Sequence, residues 1–378
     1  MPQSLGRAMR VLHVTQPVDG GVARVLTDLV HAQLAAGMEV SVACPPGGAL
    51  TDALAGLGCG VRPWQATRSP GPGLVREVRS LAAVVSATRP DVIHAHSAKA
   101  GLAARLAVRG RVPTVFQPHA WSFEAVGGTA ARLALRWERF AARWAARVIC
   151  VSAAERDTGR RSGISAQCTV IPNGVDLARF RPPRPDRVTP DAGPLVVCVG
   201  RLCQQKGQDV LLAAWPAVLR ELPDARLALV GDGPDAARLR ESAPASVRFV
   251  GAVDETVDWY HAADLVVLPS RWEGMALAPL EAMACGRPAL VTDVDGARES
   301  LPPELAPHCL VPPGDSEALA RALVGLMRDP GHRSALGDQA HRHVRARHDI
   351  RRTTGAVAEV YRELLGVEPT KHRESIAT

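Results

Sequence analysis

The sequence alternates strand-like and helix-like segments in two rounds, and a proline-rich stretch separates the rounds. Five prolines fall within residues 179–194, a density that neither a helix nor a central strand accepts. On both sides of this stretch, β-branched runs alternate with Ala-, Leu- and Arg-rich segments of helical period, which predicts parallel sheets with helices on both faces. The chain has 378 residues, and a single core stops growing near about 250–300 residues. We therefore predict an α/β protein of two Rossmann-like, doubly wound domains that face each other across a cleft.

The predicted boundaries follow this pattern. An N-terminal Rossmann-like domain covers 1–178, a linker covers 179–194, and a C-terminal Rossmann-like domain covers 195–350. A helix over 351–366 is expected to pack back on the N-terminal domain, and 367–378 is expected to be a loose tail. Strands are predicted at 9–15, 39–44, 91–97, 113–120, 147–152 and 169–174, and again at 195–200, 225–233, 247–253, 264–270, 288–294 and 309–315.

Composition narrows the function classes. Hydrophobic and charged contents of 47% and 22% are ordinary for a soluble globular protein, and neither a long apolar run nor a signal peptide is evident. The eight cysteines form no CxxC pair, which predicts buried thiols in a cytoplasmic protein rather than a zinc site. Residues 1–180 carry a surplus of ten positive charges, whereas 181–378 carry a deficit of three, so the first half favours an anionic partner. Nucleic acid is disfavoured as that partner, because five Phe and two Tyr provide no stacking platform.

A lysine marks the first candidate site. The chain uses Arg 42 times and Lys only at Lys99, Lys206 and Lys371. Arg201 and Lys206 flank a loop that follows a predicted strand and opens a helix near Gly207. Two cations beside a helix N-terminus favour an anion, and Lys suits a diphosphate. A surface loop with two solvated cations remains the alternative.

The stretch from Ser270 to Pro288 carries the second candidate site. Glu273 follows a predicted strand, and Glu281 lies eight residues later on a helix expected to start near Leu277. Gly274 permits close approach of a ligand, and the amides of Met275, Ala276 and Leu277 are expected to point outward at the helix start. Two carboxylates beside an anion site fit the hydroxyls of the two sugars in a nucleotide sugar. The alternative is an ordinary loop followed by a helix with a solvated Glu281.

These motifs resemble the family 4 glycosyltransferases of the GT-B fold. The pattern comprises Gly200-Arg201 with Lys206-Gly207, the turn Gly231–Pro234, the block Pro269–Pro288, and Asn173–Asp176 before the linker. The likeness covers nearly the whole chain and is sharpest over 195–315. The segment "HAHSAKAG" at 94–101 is similar to bacterial envelope and exopolysaccharide members.

The resemblance assigns donor-side roles. It implies that Arg201 and Lys206 bind the donor diphosphate and stabilise it as a leaving group. Glu281 is implied to hold the ribose, and Glu273 with the amides of Met275 and Ala276 to hold the transferred sugar. The base pocket is implied to include Val253.

The first half is implied to supply the other wall of the cleft. The Gly20-Gly21 loop is expected to bring amides to the donor phosphate and the acceptor, with a simple turn as its alternative. His119 is implied to lie beside the transferred sugar, although a lone His is more often an ordinary residue. Ser97 and Lys99 are implied to line the acceptor side.

The resemblance implies that the sugar is transferred with retention of its anomeric configuration and without a bound metal. No cofactor is expected, because the nucleotide sugar is itself a substrate. One DxD pair, Asp293-Val294-Asp295, begins inside the predicted strand at 288–294 rather than after it. No carboxylate stands out as a covalent nucleophile, so front-face substitution is expected. A UDP-sugar is the default donor. A lipid-linked saccharide or a soluble hydroxyl compound is the expected acceptor.

Two acidic residues bear on the resemblance. Asp295 stands where the family often has a glycine. Glu299 matches an acidic position of the family, with the capping of a helix as the alternative role.

A basic amphipathic helix is predicted over 131–148. Leu133, Trp137, Phe140 and Trp144 recur at helical spacing beside a row of arginines. One interpretation is peripheral docking on the anionic inner face of the plasma membrane. The other is that the apolar stripe packs on the sheet while the arginines remain solvated.

Other interpretations are weaker. A non-catalytic glycosyltransferase-like binding subunit is the main alternative, although every expected site residue is present. An NAD-dependent oxidoreductase is disfavoured because no GxGxxG follows a strand. The Glu273–Glu281 spacing argues against a nucleotide-sugar 2-epimerase. The oligomeric state cannot be read from the sequence.

Overall fold

A computed structural model of the protein describes residues 7–183 and 193–367. The middle of the predicted linker and almost all of the predicted loose tail lie outside these described residues. Among the described helices, none combines the length and the apolarity needed to cross a bilayer.

Seven parallel strands form the N-terminal sheet, because apolar β-branched runs are buried by helices on both faces. Their order is β3-β2-β1-β4-β5-β6-β7. The strands are β1 (Arg10–Thr15), β2 (Glu39–Cys44), β3 (Gly60–Pro63), β4 (Val92–His96), β5 (Thr114–Gln117), β6 (Arg147–Cys150) and β7 (Cys168–Val170). The helices are α1 (Gly20–Ala35), α2 (Ala49–Gly56), α3 (Leu74–Thr88), α4 (Ser97–Val108), α5 (Gly128–Ala141) and α6 (Ala153–Arg161).

Six parallel strands form the C-terminal sheet, in the order β10-β9-β8-β11-β12-β13. The strands are β8 (Leu195–Val199), β9 (Arg226–Val230), β10 (Val247–Gly251), β11 (Leu265–Leu268), β12 (Ala289–Thr292) and β13 (Leu310–Val311). The helices are α7 (Gln208–Glu221), α8 (Ala236–Ser242), α9 (Val257–Ala262), α10 (Leu277–Ala284), α11 (Asp295–Ser300), α12 (Ala306–Cys309), α13 (Ser316–Arg328), α14 (Pro330–Arg347) and α15 (Ile350–Leu365). Two doubly wound parallel sheets confirm the predicted fold class.

Each sheet reverses its strand order once, and ligands of open parallel sheets bind at such switch points. The reversal falls between β1 and β4 in the first sheet and between β8 and β11 in the second. We call these positions the N-terminal and C-terminal switch points.

The two halves of the chain pack against each other. Helix α15 lies against α1, and Tyr361 at its buried face joins a core cluster with Val11 and Val25. The side chain of Leu277, at the start of α10, inserts into the same cluster. Residues from the C-terminal half therefore complete the core of the N-terminal half.

The basic helix predicted over 131–148 is α5, which ends earlier than predicted and exposes part of its apolar stripe. It ends at Ala141, a short 3-10 segment follows, and β6 begins at Arg147, because the apolar run from there pairs with β5. The interpretation that the whole apolar stripe packs on the sheet is wrong, because Leu133 and Phe140 are exposed, although Trp137 and Trp144 are half-buried. Leu133 and Phe140 are 63% and 45% exposed, whereas Glu138 is buried in an ion pair with Arg105 at 2.8 Å.

Candidate functional site

Two loops meet at the C-terminal switch point. One follows β8 and contains Arg201 and Lys206, and the other follows β11 and contains Ser270 and Glu273. Gly207 makes their contact possible, because it adopts φ +67° and a Cβ there would lie 2.0 Å from the Pro269 carbonyl oxygen.

Lys206 and Glu273 are brought together. The Lys206 ammonium forms an ion pair with Glu273 Oε1, and the Ser270 hydroxyl donates to the same oxygen at 2.7 Å. Glu273 is buried, and Arg201 stands exposed at the start of the neighbouring loop. The site therefore presents one cation, Lys206, held by a carboxylate that the Ser270 hydroxyl fixes in turn, and a second, exposed cation, Arg201, beside it.

The start of α10 lies against the N-terminal half. A Cβ on Gly274 would lie 3.0 Å from the Ala120 amide nitrogen, so only a glycine lets this loop pass the residue after His119. Asn173 Nδ2 donates to the Met275 carbonyl at 2.7 Å and fixes the loop further. Helix α10 begins at Leu277, so the amides of its first turn have no intrahelical acceptor and can bind an anion.

Glu281 is buried rather than solvated, which makes the alternative interpretation of an exposed Glu281 wrong. Its Oε2 accepts a hydrogen bond from the Tyr260 hydroxyl at 2.7 Å. Burial raises the pKa of the Glu281 carboxyl, and the bond from Tyr260 opposes that rise. The half-buried Val253 packs on the C-terminal core.

The glycine loop of the N-terminal half faces α10. Gly20 and Gly21 are exposed at the start of α1, and a Cβ on Gly21 would lie 4.0 Å from Leu277 Cδ1. The two halves of the predicted site thus approach each other here.

Three non-glycine residues at the cleft adopt left-handed backbone conformations. Ser97 follows β4 with φ +73°, and His119 and Ala120 follow β5 with φ +57° and +99°. Such strain persists only where the surroundings enforce it, and it concentrates at functional sites. Glu155 enforces it at His119, because its buried carboxylate accepts the Ala120 amide at 2.6 Å and the Val151 amide at 2.7 Å. Burial raises the pKa of Glu155 to about 7.

Lys99 does not line an open acceptor site. It is 4% exposed, and its ammonium pairs with Glu77 at 2.5 Å and donates to the Ser69 carbonyl at 3.2 Å. Burial would raise the pKa of Glu77, but hydrogen bonds from Lys99 and Thr67 hold it below its usual value. The structure therefore corrects this assignment: the lysine anchors the loop before α3.

Acidic residues join the halves at the edge of the cleft. Glu299 on α11 accepts the amides of Ala153 and Ala154 at 2.8 and 2.7 Å, and so caps α6 across the interface. Burial raises the pKa of Glu124 to about 7, with the neighbouring charge of Asp295 adding to the rise. Asp295, which replaces the frequent glycine, therefore sits beside another carboxyl.

One group in the described ranges places three metal-ligating side chains together, namely His13, His94 and His96. His13 pairs with His96 and Gln33, and His94 Nδ1 pairs with the Tyr361 hydroxyl, whereas His94 Nε2 is buried without a partner among the described residues. The group contains no carboxylate. The expectation that the protein needs no metal stays a prediction.

Several site residues escaped sequence reasoning. Tyr260 acts through a single contact across a long stretch of chain, which no local pattern encodes. Asn173 belongs to the Asn173–Asp176 motif, but that motif does not reveal its contact with Met275. Glu155 has the form of a capping residue, three positions after Ser152, and that motif conceals its role at Ala120.

Comparisons with known proteins agree with this architecture. Residues 20–174 match the family model of the glycosyl transferase 4-like domain, and residues 193–329 match the model of glycosyl transferases group 1. The structure of Anabaena HepE in complex with UDP-glucose superimposes with a TM-score of 0.81 at 24% identity, covering 94% of this chain and 100% of that chain. That likeness shows a shared fold.

Two curated relatives illustrate the range of similarity. A lipopolysaccharide core biosynthesis mannosyltransferase of Rhizobium leguminosarum bv. viciae is 36% identical over 55% of this chain and 64% of its own length. The UDP-Gal:alpha-D-GlcNAc-diphosphoundecaprenol alpha-1,3-galactosyltransferase of Escherichia coli is 28% identical over 76% of this chain and 80% of its own length. The chain spans between about half and two thirds of the length of the first curated relatives that it matches.

Proposed function

The chain belongs to the group 1 glycosyl transferases of family 4, and from that premise we propose that it transfers a sugar from a nucleotide sugar to a saccharide acceptor. The observation that carries the proposal is the C-terminal switch point, where Lys206, Glu273 and the start of α10 converge opposite His119. A diphosphate there would meet two cations and a helix N-terminus, which together neutralise a departing phosphate.

We propose front-face substitution with retention of configuration. The bond from the anomeric carbon to the phosphate oxygen breaks, and the acceptor oxygen bonds to that carbon on the same face. The acceptor's proton goes to the departing phosphate oxygen. Arg201 and Lys206 supply the positive charge for this step, so no metal is required. Lys206 and Ser270 both bind Oε1 of Glu273, and this pairing with a cation lowers the nucleophilicity of the carboxylate, which argues against its acting as a covalent nucleophile.

A UDP-sugar is the proposed donor. The galactosyltransferase relative is named for UDP-Gal, whereas the Rhizobium relative is named for mannose, so the base must be tested. The buried Glu281, held by Tyr260, is the proposed ligand of the ribose.

The proposed acceptor is a lipid-linked saccharide at the cytoplasmic face of the membrane. The galactosyltransferase relative is named for a diphosphoundecaprenol acceptor. A patch at the end of α5 and in the 3-10 segment after it supports membrane contact: exposed Arg143 lies 3.7 Å above the exposed Phe140 ring, which packs 5.1 Å from the half-buried Trp144. Exposed Arg132 and Arg136 flank exposed Leu133 on the same helix. Arginines beside exposed apolar side chains suit an anionic bilayer surface.

A transfer assay tests the proposal. The full chain would be incubated with labelled UDP-, GDP-, ADP- and dTDP-sugars, a lipid-diphosphate-linked saccharide and a chelator, and the product's anomeric configuration would be read by NMR. We expect transfer from one donor, with retention, in the presence of the chelator. Inversion or loss of transfer on chelation would refute the mechanism, and absence of transfer with intact nucleotide binding would favour the non-catalytic subunit.

Vesicle sedimentation tests the membrane contact. We expect binding to vesicles of phosphatidylglycerol and much weaker binding to phosphatidylcholine alone. Replacing Leu133 and Phe140 by Gln should abolish binding, whereas replacing the exposed Val75 of α3 by Gln should not. Equal binding by the two variants would contradict this assignment of the surface.

A further inference from the structure

A set of buried polar side chains fills the N-terminal switch point and has no place in the proposed function. His13 lies on β1 and His96 on the adjacent β4, both fully buried, and Gln33 on α1 contacts His13. Buried polar groups normally have hydrogen-bond partners, and parallel sheets bind their ligands at switch points. The partners of these buried imidazoles therefore bear on the function of the site.

These side chains form a hydrogen-bonded chain that ends at the cleft. His13 Nε2 lies 2.8 Å from the Gln33 carbonyl oxygen Oε1, and His13 Nδ1 lies 2.9 Å from His96 Nε2. His96 Nδ1 in turn lies 3.2 Å from His119 Nε2. The Gln33 amide nitrogen Nε2 donates a hydrogen bond to the Tyr361 hydroxyl at 3.4 Å.

The position of each proton follows from one fixed end. The Gln33 oxygen only accepts, so His13 Nε2 carries a proton and His13 Nδ1 carries a lone pair. His96 Nε2 must then donate to His13, which leaves a lone pair on His96 Nδ1. His119 Nε2 must donate to that lone pair, which leaves His119 Nδ1 unprotonated.

This assignment requires neutral rings, and burial provides them. Burial lowers the pKa of His13 to about 4 and that of His119 to about 4, and it lowers the pKa of His96 well below its usual value. A neutral ring with one occupied nitrogen has a single tautomer available, because the partner of one nitrogen determines the state of the other.

We propose that Gln33, His13 and His96 are positioning residues that hold His119 as the Nε2–H tautomer and thereby present Nδ1 as a hydrogen-bond acceptor to a sugar hydroxyl. The inference rests on the proposed function, since it gives His119 its work at the transferred sugar. A neutral acceptor suits this position because a protonated ring would repel an oxocarbenium-like transition state. The Glu155 carboxylate fixes the adjacent backbone, so both the ring's tautomer and its place are set.

The tautomer can be read without any activity. The intact protein, labelled with 15N-histidine, would be examined by long-range 1H–15N NMR at pH 7, with His119→Asn assigning the signals. We expect His119 Nδ1 in the unprotonated range and Nε2 in the protonated range. The reverse assignment, or shifts averaged between two tautomers, would overturn the proposal. Stoichiometric metal in the purified protein would also overturn it, because an ion would take the lone pairs that the chain uses.

Variants separate positioning from packing. His96→Leu removes the acceptor for His119. His94→Leu is the matched control on the same strand: the His94 ring packs 4.0 Å from His96, but its hydrogen bond goes to Tyr361 at 2.6 Å and not to His13, His96 or His119. We expect His96→Leu to lower kcat at least tenfold with the donor KM within twofold, and to average the His119 nitrogen shifts. We expect His94→Leu to lower kcat less than threefold.

A rescue variant completes the test. His96→Asn returns an acceptor near the position of Nδ1 and should recover most of the kcat and the fixed His119 signals. Equal losses of kcat in His96→Leu and His94→Leu, at equal thermal stability, would mean that the hydrogen-bonded histidines contribute only packing, and would contradict the proposal. A wild type with fixed His119 signals but no sugar transfer would instead contradict the proposed function and leave the hydrogen-bonded chain standing.

Discussion

The two switch points have the same architecture and opposite chemistry. At the C-terminal one, Lys206 and Glu273 form an ion pair, and Arg201 is exposed beside them. At the N-terminal one, His13 and His96 are fully buried and neutral. The strand order reverses in the same way at both, so the fold does not account for the difference. The contrast teaches that a doubly wound sheet sets where a site lies, while the side chains at the strand ends set its charge.

The contrast also fits the chemistry expected on each side of the cleft. A leaving diphosphate needs positive charge on one side, and a cation-like sugar needs a neutral or electron-rich surface on the other. Four predictions test whether this division of charge is real.

The largest effect should come from removing the carboxylate at the C-terminal switch point. Glu273→Ala leaves Lys206 without its partner and removes the proposed contact to the sugar, so kcat/KM should fall about 10²–10³-fold. Steady-state transfer kinetics measure this. Thermal unfolding provides the control, and activity within tenfold of wild type would contradict the assignment of the site.

The next effect concerns Lys99, which the sequence assigned to acceptor binding and which the structure places in a buried ion pair with Glu77. Lys99→Met strands the Glu77 carboxylate and should lower the free energy of unfolding by about 3 kcal/mol. Lys99→Met combined with Glu77→Leu should recover much of that loss in urea titrations. A stable single variant with a raised acceptor KM would restore the original assignment.

The two switch points should respond to pH in opposite directions. Burial lowers the pKa of His13 from 6.5 to about 4, so the unfolded chain takes up the proton first, and stability present above pH 6.5 is lost as the pH falls towards 4. Burial raises the pKa of Glu281, so its contribution is lost as the pH rises. Between pH 6.5 and 5, wild type should lose about 2 kcal/mol more than His13→Gln in urea unfolding. Equal losses would mean that His13 is not held neutral.

The smallest effect should come from Tyr260. Tyr260→Phe removes one hydrogen bond to Glu281 and leaves the ring in place, so nucleotide affinity should fall about fivefold, equivalent to about 1 kcal/mol. Glu281→Gln is the companion variant, and calorimetry measures both. Unchanged nucleotide affinity in both variants would contradict the proposal that Glu281, held by Tyr260, binds the ribose.

The fold was largely predictable from the sequence because apolar β-branched runs mark buried parallel strands. Each predicted strand is present, with ends shifted by a few residues. The strand at Gly60–Pro63 was missed because it lies at the sheet edge, is short and mostly exposed, and so lacks a hydrophobic signature. The end of α5 was misjudged because the helical spacing of Trp144 continues into the residues that pair as β6.

The site was predictable where local motifs encode it and unpredictable where burial decides. Lys206, Glu273 and Glu281 lie within short patterns after strands, and the structure groups the first two directly. Lys99 also follows a predicted strand, yet it is buried in an ion pair with Glu77 on another helix. The hydrogen-bonded series of His13, His96 and His119 joins β1, β4 and the loop after β5, and only the register of the sheet reveals it.

The most direct test of the division of charge is nucleotide binding at the C-terminal switch point. Calorimetry with UDP, GDP, ADP and dTDP in chelator would compare wild type with Lys206→Ala, and with Arg220→Ala at the far end of α7 as the matched control. We predict that one nucleotide binds wild type and Arg220→Ala equally, and binds Lys206→Ala about 10–100-fold more weakly. Binding of none of them, or equal binding by all three proteins, would contradict the account.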